Sequence, residues 1–455
     1  MNTSVLFSLV LMLLSVGVYY LFDRDMFSVP GLFCYAFTIS SFASLYNCIR
    51  WHVSLSWNAA LLLIAGIVTF IVGSYITYRL CRLRWGDSAK QGVGVTIISC
   101  RSWSSWVMCI FGAVIVFFYC RAVIRIVQQI PHADISSWSS IMAAYRQYSA
   151  YNVHKPYGAV PTAVVYAGYV LTAVAYVYLF VIINNLVAER RMTWIAVLPV
   201  LIYVVYILVQ SSRGPLIVFA IAGFIMWWVL FRRKNSSARL SGKSLAAIVG
   251  LIAVGLAGFV ALSGLVGRKL SKTPFDNLMM YVGGSITNFS SYLDHPVSTS
   301  PSSKLWGGET FYALYSFLGR RSHNPNWLYS YQLEYTFAKD GISMGNVYTA
   351  FRYYLHDFGF IGMFLFTAVQ AVLFTWLYYV VVSRLRQTNI ALSASVQIIV
   401  AYLLVSVVYF PIADWLFHQY LAPATFVTLV FMVVMSVLLI RYRKPAVACC
   451  LSKSG

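Results

Sequence analysis

Three short segments of this chain combine residue types that bind anions or move protons. The first is Gln210-Ser211-Ser212-Arg213-Gly214-Pro215. Ser212 is placed to cap a following helix, and Pro215 suits its first turn. A helix N-terminus offers unpaired N–H groups and a partial positive charge, and Arg213 adds a planar, permanently charged fork that matches phosphate oxygens. The same residues also describe a tight hairpin whose arginine reaches for lipid headgroups, and local chemistry leaves both readings open. The second segment is Gly267-Arg268-Lys269 with Lys272 close behind, a concentration of positive charge that fits either a diphosphate or anionic headgroups. The third runs from Gly345-Asn346-Val347-Tyr348-Thr349 through Arg352-Tyr353-Tyr354 to His356-Asp357-Phe358-Gly359. On a helix, Arg352 and His356 share a face four residues apart, with Asp357 beside them. Tyr348 and Tyr353 can stack on sugar rings, although tyrosines gather at membrane interfaces in any case, and Arg352 can equally pair with Asp357. Between the second and third segments, Glu309, Arg320, Arg321 and His323 supply an acid, two more guanidinium groups and an imidazole.

The elements that must hold these groups are dictated by composition. Of 455 residues, 60% are apolar and only 10% charged, far below the roughly 25% of a soluble domain. Apolar runs of membrane-crossing length recur throughout, and helices satisfy their backbone groups within the run. Eleven spans are expected, at about 4–22, 29–48, 59–80, 104–127, 160–187, 194–210, 214–231, 245–266, 358–383, 392–410 and 420–440. The reading is an all-α polytopic membrane protein forming one membrane domain, with two larger loops at 128–159 and 267–346. The first run has no basic flank or small-residue cleavage site and reads as an uncleaved span.

Net charge is +21, which in a soluble protein would point to nucleic acid. Here much of it lies in short loops, where lysine and arginine set orientation. Arg79, Arg82 and Arg84, the Arg232-Arg233-Lys234 run, Arg384 and Arg441 all fall in segments on one side, expected to be cytoplasmic. The N-terminus is then outside, the C-terminus inside, and both larger loops periplasmic. Fourteen of the 33 Lys and Arg nevertheless fall on the outer side, more than orientation requires. No metal-spaced Cys/His cluster, Walker-type loop or dinucleotide fingerprint is present. Asp23-Arg24-Asp25 has the spacing of an acidic metal-binding pair, but its cytoplasmic placement reads as chance.

The Ser-Ser-Arg-Gly-Pro turn at 211–215 and the Asn346-Val347-Tyr348-Thr349…Arg352-Tyr353-Tyr354…Asp357-Phe358-Gly359…Gly362 stretch closing a large outer loop resemble the Wzy-type O-antigen polymerases. The opening Asp25-Met26-Phe27-Ser28-Val29-Pro30…Ala43-Ser44-Leu45-Tyr46-Asn47…Trp51 also looks like that family's first hairpin. The resemblance implies a GT-C-like glycosyltransferase of the bacterial inner membrane, working without metal or other cofactor on the periplasmic face. It implies transfer of a growing glycan from undecaprenyl diphosphate to a sugar hydroxyl of the next lipid-linked repeat unit. A separate chain-length regulator in the membrane is the implied protein partner, with no nucleic acid involved.

Such a reaction needs cations to stabilise the departing diphosphate and a group to take the acceptor's proton. Arg213, Arg268 and Arg352 are assigned to the first task, supported by Lys269, Lys272, Arg320 and Arg321. For the base, Asp357 or His356 is favoured, with Glu309 third. An O-antigen ligase and a flippase for lipid-linked sugars are the competing expectations. The flippase fits less well, because no repeat is visible and the charges cluster at the outer surface rather than the midplane.

Overall fold

Apolar runs without internal polar partners close their backbone hydrogen bonds within helices, and helices dominate the architecture. The computed structural model describes residues 2–86, 95–151, 156–189, 194–212, 214–235, 273–296, 305–327, 333–385 and 389–442, with a few positions between 240 and 258. Among them, eight helices are long and apolar enough to cross a membrane. These are α1 (Asn2–Leu21), α2 (Val29–Trp51), α3 (Trp57–Trp85), α4 (Ser102–Gln129), α6 (Thr162–Glu189), α8 (Gly214–Lys234), α11 (Ala350–Tyr379) and α12 (Ile390–Tyr409). Two shorter apolar helices, α7 (Val197–Val209) and α13 (Pro423–Leu439), coincide with further expected spans. Most of the span expected at 245–266 lies outside the described residues.

The segment at 267–346 is more structured than its reading as a loop. It contains α9 (Pro274–Asp294) and α10 (Tyr312–Ser322), while the smaller loop contains α5 (Trp138–Tyr151). The start of α9 follows from local chemistry. Thr273 accepts a hydrogen bond from the Asp276 amide at 3.1 Å, Pro274 occupies the first turn, and Asp276 adds an acid there. Asp276 also accepts from the Tyr46 hydroxyl at 2.7 Å. Gly283 lets α9 lie directly on α2: a Cβ there would fall 2.2 Å from the Ser44 backbone nitrogen.

One end of the bundle is closed by a polar knot. Asp25, in the α1–α2 turn, is buried and accepts from Trp228 Nε1 at 3.1 Å, Tyr378 Oη at 2.8 Å and Arg232 Nε at 3.2 Å. Asp25 is therefore a packed ion-pair partner, a role separate from the metal-like spacing read as chance. The neighbouring Asp23 accepts from Tyr78 and Arg82. The basic run ending α8 makes specific packing contacts. Arg233 donates to the Val381 and Leu385 carbonyls, and Lys234 to the Val187 and Ala188 carbonyls at the end of α6. Cations thus bind carbonyls that helix ends leave without internal donors. The α1–α2 turn and the last turns of α3, α8 and α11 consequently meet at one end, as the alternating basic segments anticipate.

At the other end, the Ala350 amide donates to the Phe410 carbonyl at 2.9 Å, joining the start of α11 to the end of α12. Gly359 interrupts α11 with φ +67°, a conformation that favours glycine. The kink separates a polar opening segment, 350–358, from the apolar length that follows.

Candidate functional site

The opening segment of α11 is helical, so Arg352 and His356 share a face as their spacing requires. Their partners come from elsewhere in the chain. The Arg352 guanidinium is fully buried between two tyrosine rings, 4.6 Å from the Tyr292 centroid and 4.8 Å from that of Tyr348. The ring faces attract the cation, and its N–H groups are left for anions. Nη1 donates to Glu309 Oε2, and Nη2 donates to Glu334 Oε2 at 2.7 Å. One cation therefore meets two carboxylates.

Glu309 extends the chain of contacts. Its Oε1 lies 3.6 Å from His356 Nε2, within ion-pair range but longer than a direct hydrogen bond. His356 Nδ1 is 3.0 Å from the Tyr292 hydroxyl. A carboxylate facing Nε2 favours a proton on that nitrogen, leaving Nδ1 to accept from Tyr292. Burial pushes the Glu309 carboxyl above its ordinary pKa, opposed by Arg352 and His356. Burial likewise raises the Tyr292 phenol to about 12, so it stays a neutral donor.

The Glu309 backbone is gripped from both sides. Its amide, and that of Thr310, donate to the two Asp357 oxygens at 3.4 and 2.6 Å. Its carbonyl sits 2.8 Å from His418 Nδ1. Burial lowers the His418 pKa to about 4, so the ring is neutral and donates Nδ1–H to the carbonyl. Tyr312 stacks on the same ring at 5.2 Å.

Several roles read from sequence change accordingly. Arg352 does not pair with Asp357, and its guanidinium holds carboxylates where an open phosphate fork was expected. Asp357 spends both oxygens on backbone amides, which suits a clamp better than a base. Tyr348 covers Arg352, and Tyr353 packs 5.5 Å from His418. Both tyrosines are buried, so neither offers an open face to a sugar. Arg320 and Arg321 lie exposed in the last turn of α10, about 12 Å along its axis from Tyr312. Arg213, Arg268, Lys269 and Lys272 lie outside the described residues. The first turn of α8 opens at the same end as Arg352, because the last turns of α8 and α11 meet at Asp25.

Glu334, Tyr292 and His418 were not singled out in the sequence. Glu334 has no spacing signature, since its partner is 18 residues on. Tyr292 was findable only through the Thr273-Pro274-x-Asp276 start of its helix.

Fold and site together define an all-α, multi-pass membrane protein with a buried, ionised polar cluster at one end of the bundle. No protein-family model, curated protein or solved structure matches the chain.

Proposed function

We propose that this protein is an O-antigen polymerase of the bacterial inner membrane, with the Glu309–Arg352–His356 cluster on the periplasmic side. The observation that carries the reading is the exposure pattern within that cluster. Arg352 and Glu309 are 0% exposed, whereas the His356 side chain retains 17%. An acceptor can therefore reach the imidazole while the ion pair that orients it stays dry, where charge interactions are strongest.

In the proposed reaction, the acceptor sugar hydroxyl attacks the anomeric carbon of the lipid-linked glycan. A new C–O bond forms as the bond to the diphosphate breaks, and undecaprenyl diphosphate leaves with the electron pair. The acceptor hydroxyl displaces Tyr292 from His356 Nδ1, which takes the hydroxyl proton, and Glu309 on the Nε2 side stabilises the imidazolium that results. Arg352, with Arg213 and Arg268 on the same reading, balances charge on the leaving diphosphate. Asp357 and His418 hold the Glu309 turn in register. A chain-length regulator in the same membrane completes the proposed assembly.

The test is reconstitution. Purified protein mixed with undecaprenyl-diphosphate-linked repeat units in detergent, where no compartment exists to transport into, is expected to produce a ladder of longer glycans. Transfer only onto lipid A-core would make the protein a ligase. Movement of the lipid-linked units across vesicles, with no elongation, would make it a flippase.

A further inference from the structure

Two side chains at the edge of the buried cluster keep contact with the exterior, and only one has been given a task. Glu334, like His356, retains 17% exposure. Its carboxylate caps the Nη2 side of Arg352 at 2.7 Å. The guanidinium lies over the Tyr292 and Tyr348 rings, and its edge of N–H groups is what an incoming anion can meet. The Glu309 part of that edge is fixed, because Asp357 and His418 hold the Glu309 backbone and the carboxylate itself is inaccessible. The Glu334 part is different. Tyr348 donates to the Glu334 carbonyl at 3.0 Å, so the main chain is anchored while the side chain stays partly exposed at the exterior. Arg352 faces two carboxylates at once, and exchange of one for another anion keeps the guanidinium charge balanced.

We propose that the Nη2 edge of Arg352 is a phosphate-binding position that Glu334 occupies until a diphosphate displaces it. This rests on the polymerase reading for its ligand, and deepens it. Glu334 acts as a built-in substitute for the substrate anion, keeping a buried cation paired between turnovers. It also lowers apparent affinity, since substrate must compete with a tethered carboxylate.

The experiment is anion binding to the purified full-length protein, using inorganic pyrophosphate and, separately, undecaprenyl diphosphate. Glu334→Gln keeps the shape and removes the charge, and is expected to bind about tenfold more tightly than wild type. Tightening for both probes makes the phosphate group sufficient; tightening for the lipid-linked probe alone identifies the ligand as a lipid headgroup. Unchanged or weaker binding of both overturns the proposal. Should the variant not fold, amide exchange on the wild type decides. Saturating pyrophosphate is expected to speed exchange across 333–337, and slower or unaltered exchange there overturns the displacement. Since binding is the readout, the proposal can survive a failure of glycan elongation, and elongation can succeed where it fails.

Discussion

Glu309 reaches Arg352 with one carboxylate oxygen and faces His356 with the other, at 3.6 Å on the imidazole side. A single acid thereby couples the cation proposed to meet the leaving group with the base proposed to activate the acceptor.

Removing that coupling by Glu309→Gln takes one carboxylate from Arg352 and the negative charge facing Nε2 from His356. Elongation is expected to fall about 10²-fold, the scale of losing one aligned charged group. Arg352→Lys is expected to lose as much, because a single ammonium cannot span two carboxylates in a fork. Quantifying glycan length against time for both variants decides the matter: wild-type rates would remove the pair from the reaction.

His356→Gln keeps a polar group of similar reach but no basic nitrogen, and is expected to cost about 10²–10⁴-fold in rate. Tyr292→Phe is milder. The ring still covers Arg352, and only the hydroxyl against Nδ1 disappears, so a drop of about tenfold is expected from one hydrogen bond. The informative comparison is between the two variants at matched thermal stability. Equal losses would mean that the imidazole acts only with the Tyr292 hydroxyl in place, and a wild-type rate in His356→Gln would remove it as the base.

The sequence made the membrane architecture legible because composition and run length report directly on the solvent around each helix. It also made Arg352, His356 and Glu309 visible as chemistry-bearing residues. It could not reveal that Arg352 is sandwiched by Tyr292 and shared with Glu334, because such contacts join segments with no common periodicity. The segment containing α9 was read as loop although Thr273-Pro274-x-Asp276 signals a helix start. Its apolar content is modest, and its buried face is set by packing on Ala43 and Ser44. The role of Asp25 was hidden for a related reason: nothing local marks it as the acid over which Trp228, Arg232 and Tyr378 close.

Asp414, in the turn after α12, carries a pH signature. Burial pushes its carboxyl up to about 7, against hydrogen bonds from Tyr354 and from amides that include that of Phe417. An acid whose folded pKa exceeds its unfolded one binds its proton more tightly when folded. The stabilisation is complete below about pH 4 and is lost as pH rises through about 7. Wild type should therefore weaken across that window by on the order of 1 kcal/mol per pH unit. Asp414→Asn, which cannot ionise, should not share this loss. Melting curves in detergent from pH 4 to 8 are expected to show the variant gaining on wild type up to pH 7 and then holding a constant lead. A difference that is flat across the range would mean that the carboxyl titrates normally.

The Asp25–Arg232 pair, at the far end of α11 from Arg352, separates folding from chemistry. Asp25 is 2% and Arg232 10% exposed at the side chain, so deleting either partner strands a charge in a dry environment. Asp25→Ala or Arg232→Ala is expected to cost about 3–5 kcal/mol. Replacing both together, as Asp25→Leu with Arg232→Met, removes both desolvation penalties and should cost less than either single change. Trp228 and Tyr378 would still lose their shared acceptor, so recovery is expected to be partial. Elongation per folded molecule should stay at the wild-type level in all three variants, since no group at the Arg352 end is altered. Thermal unfolding combined with specific activity tests both halves: additive destabilisation would dissolve the pair, and lost specific activity would tie the two ends of the bundle together.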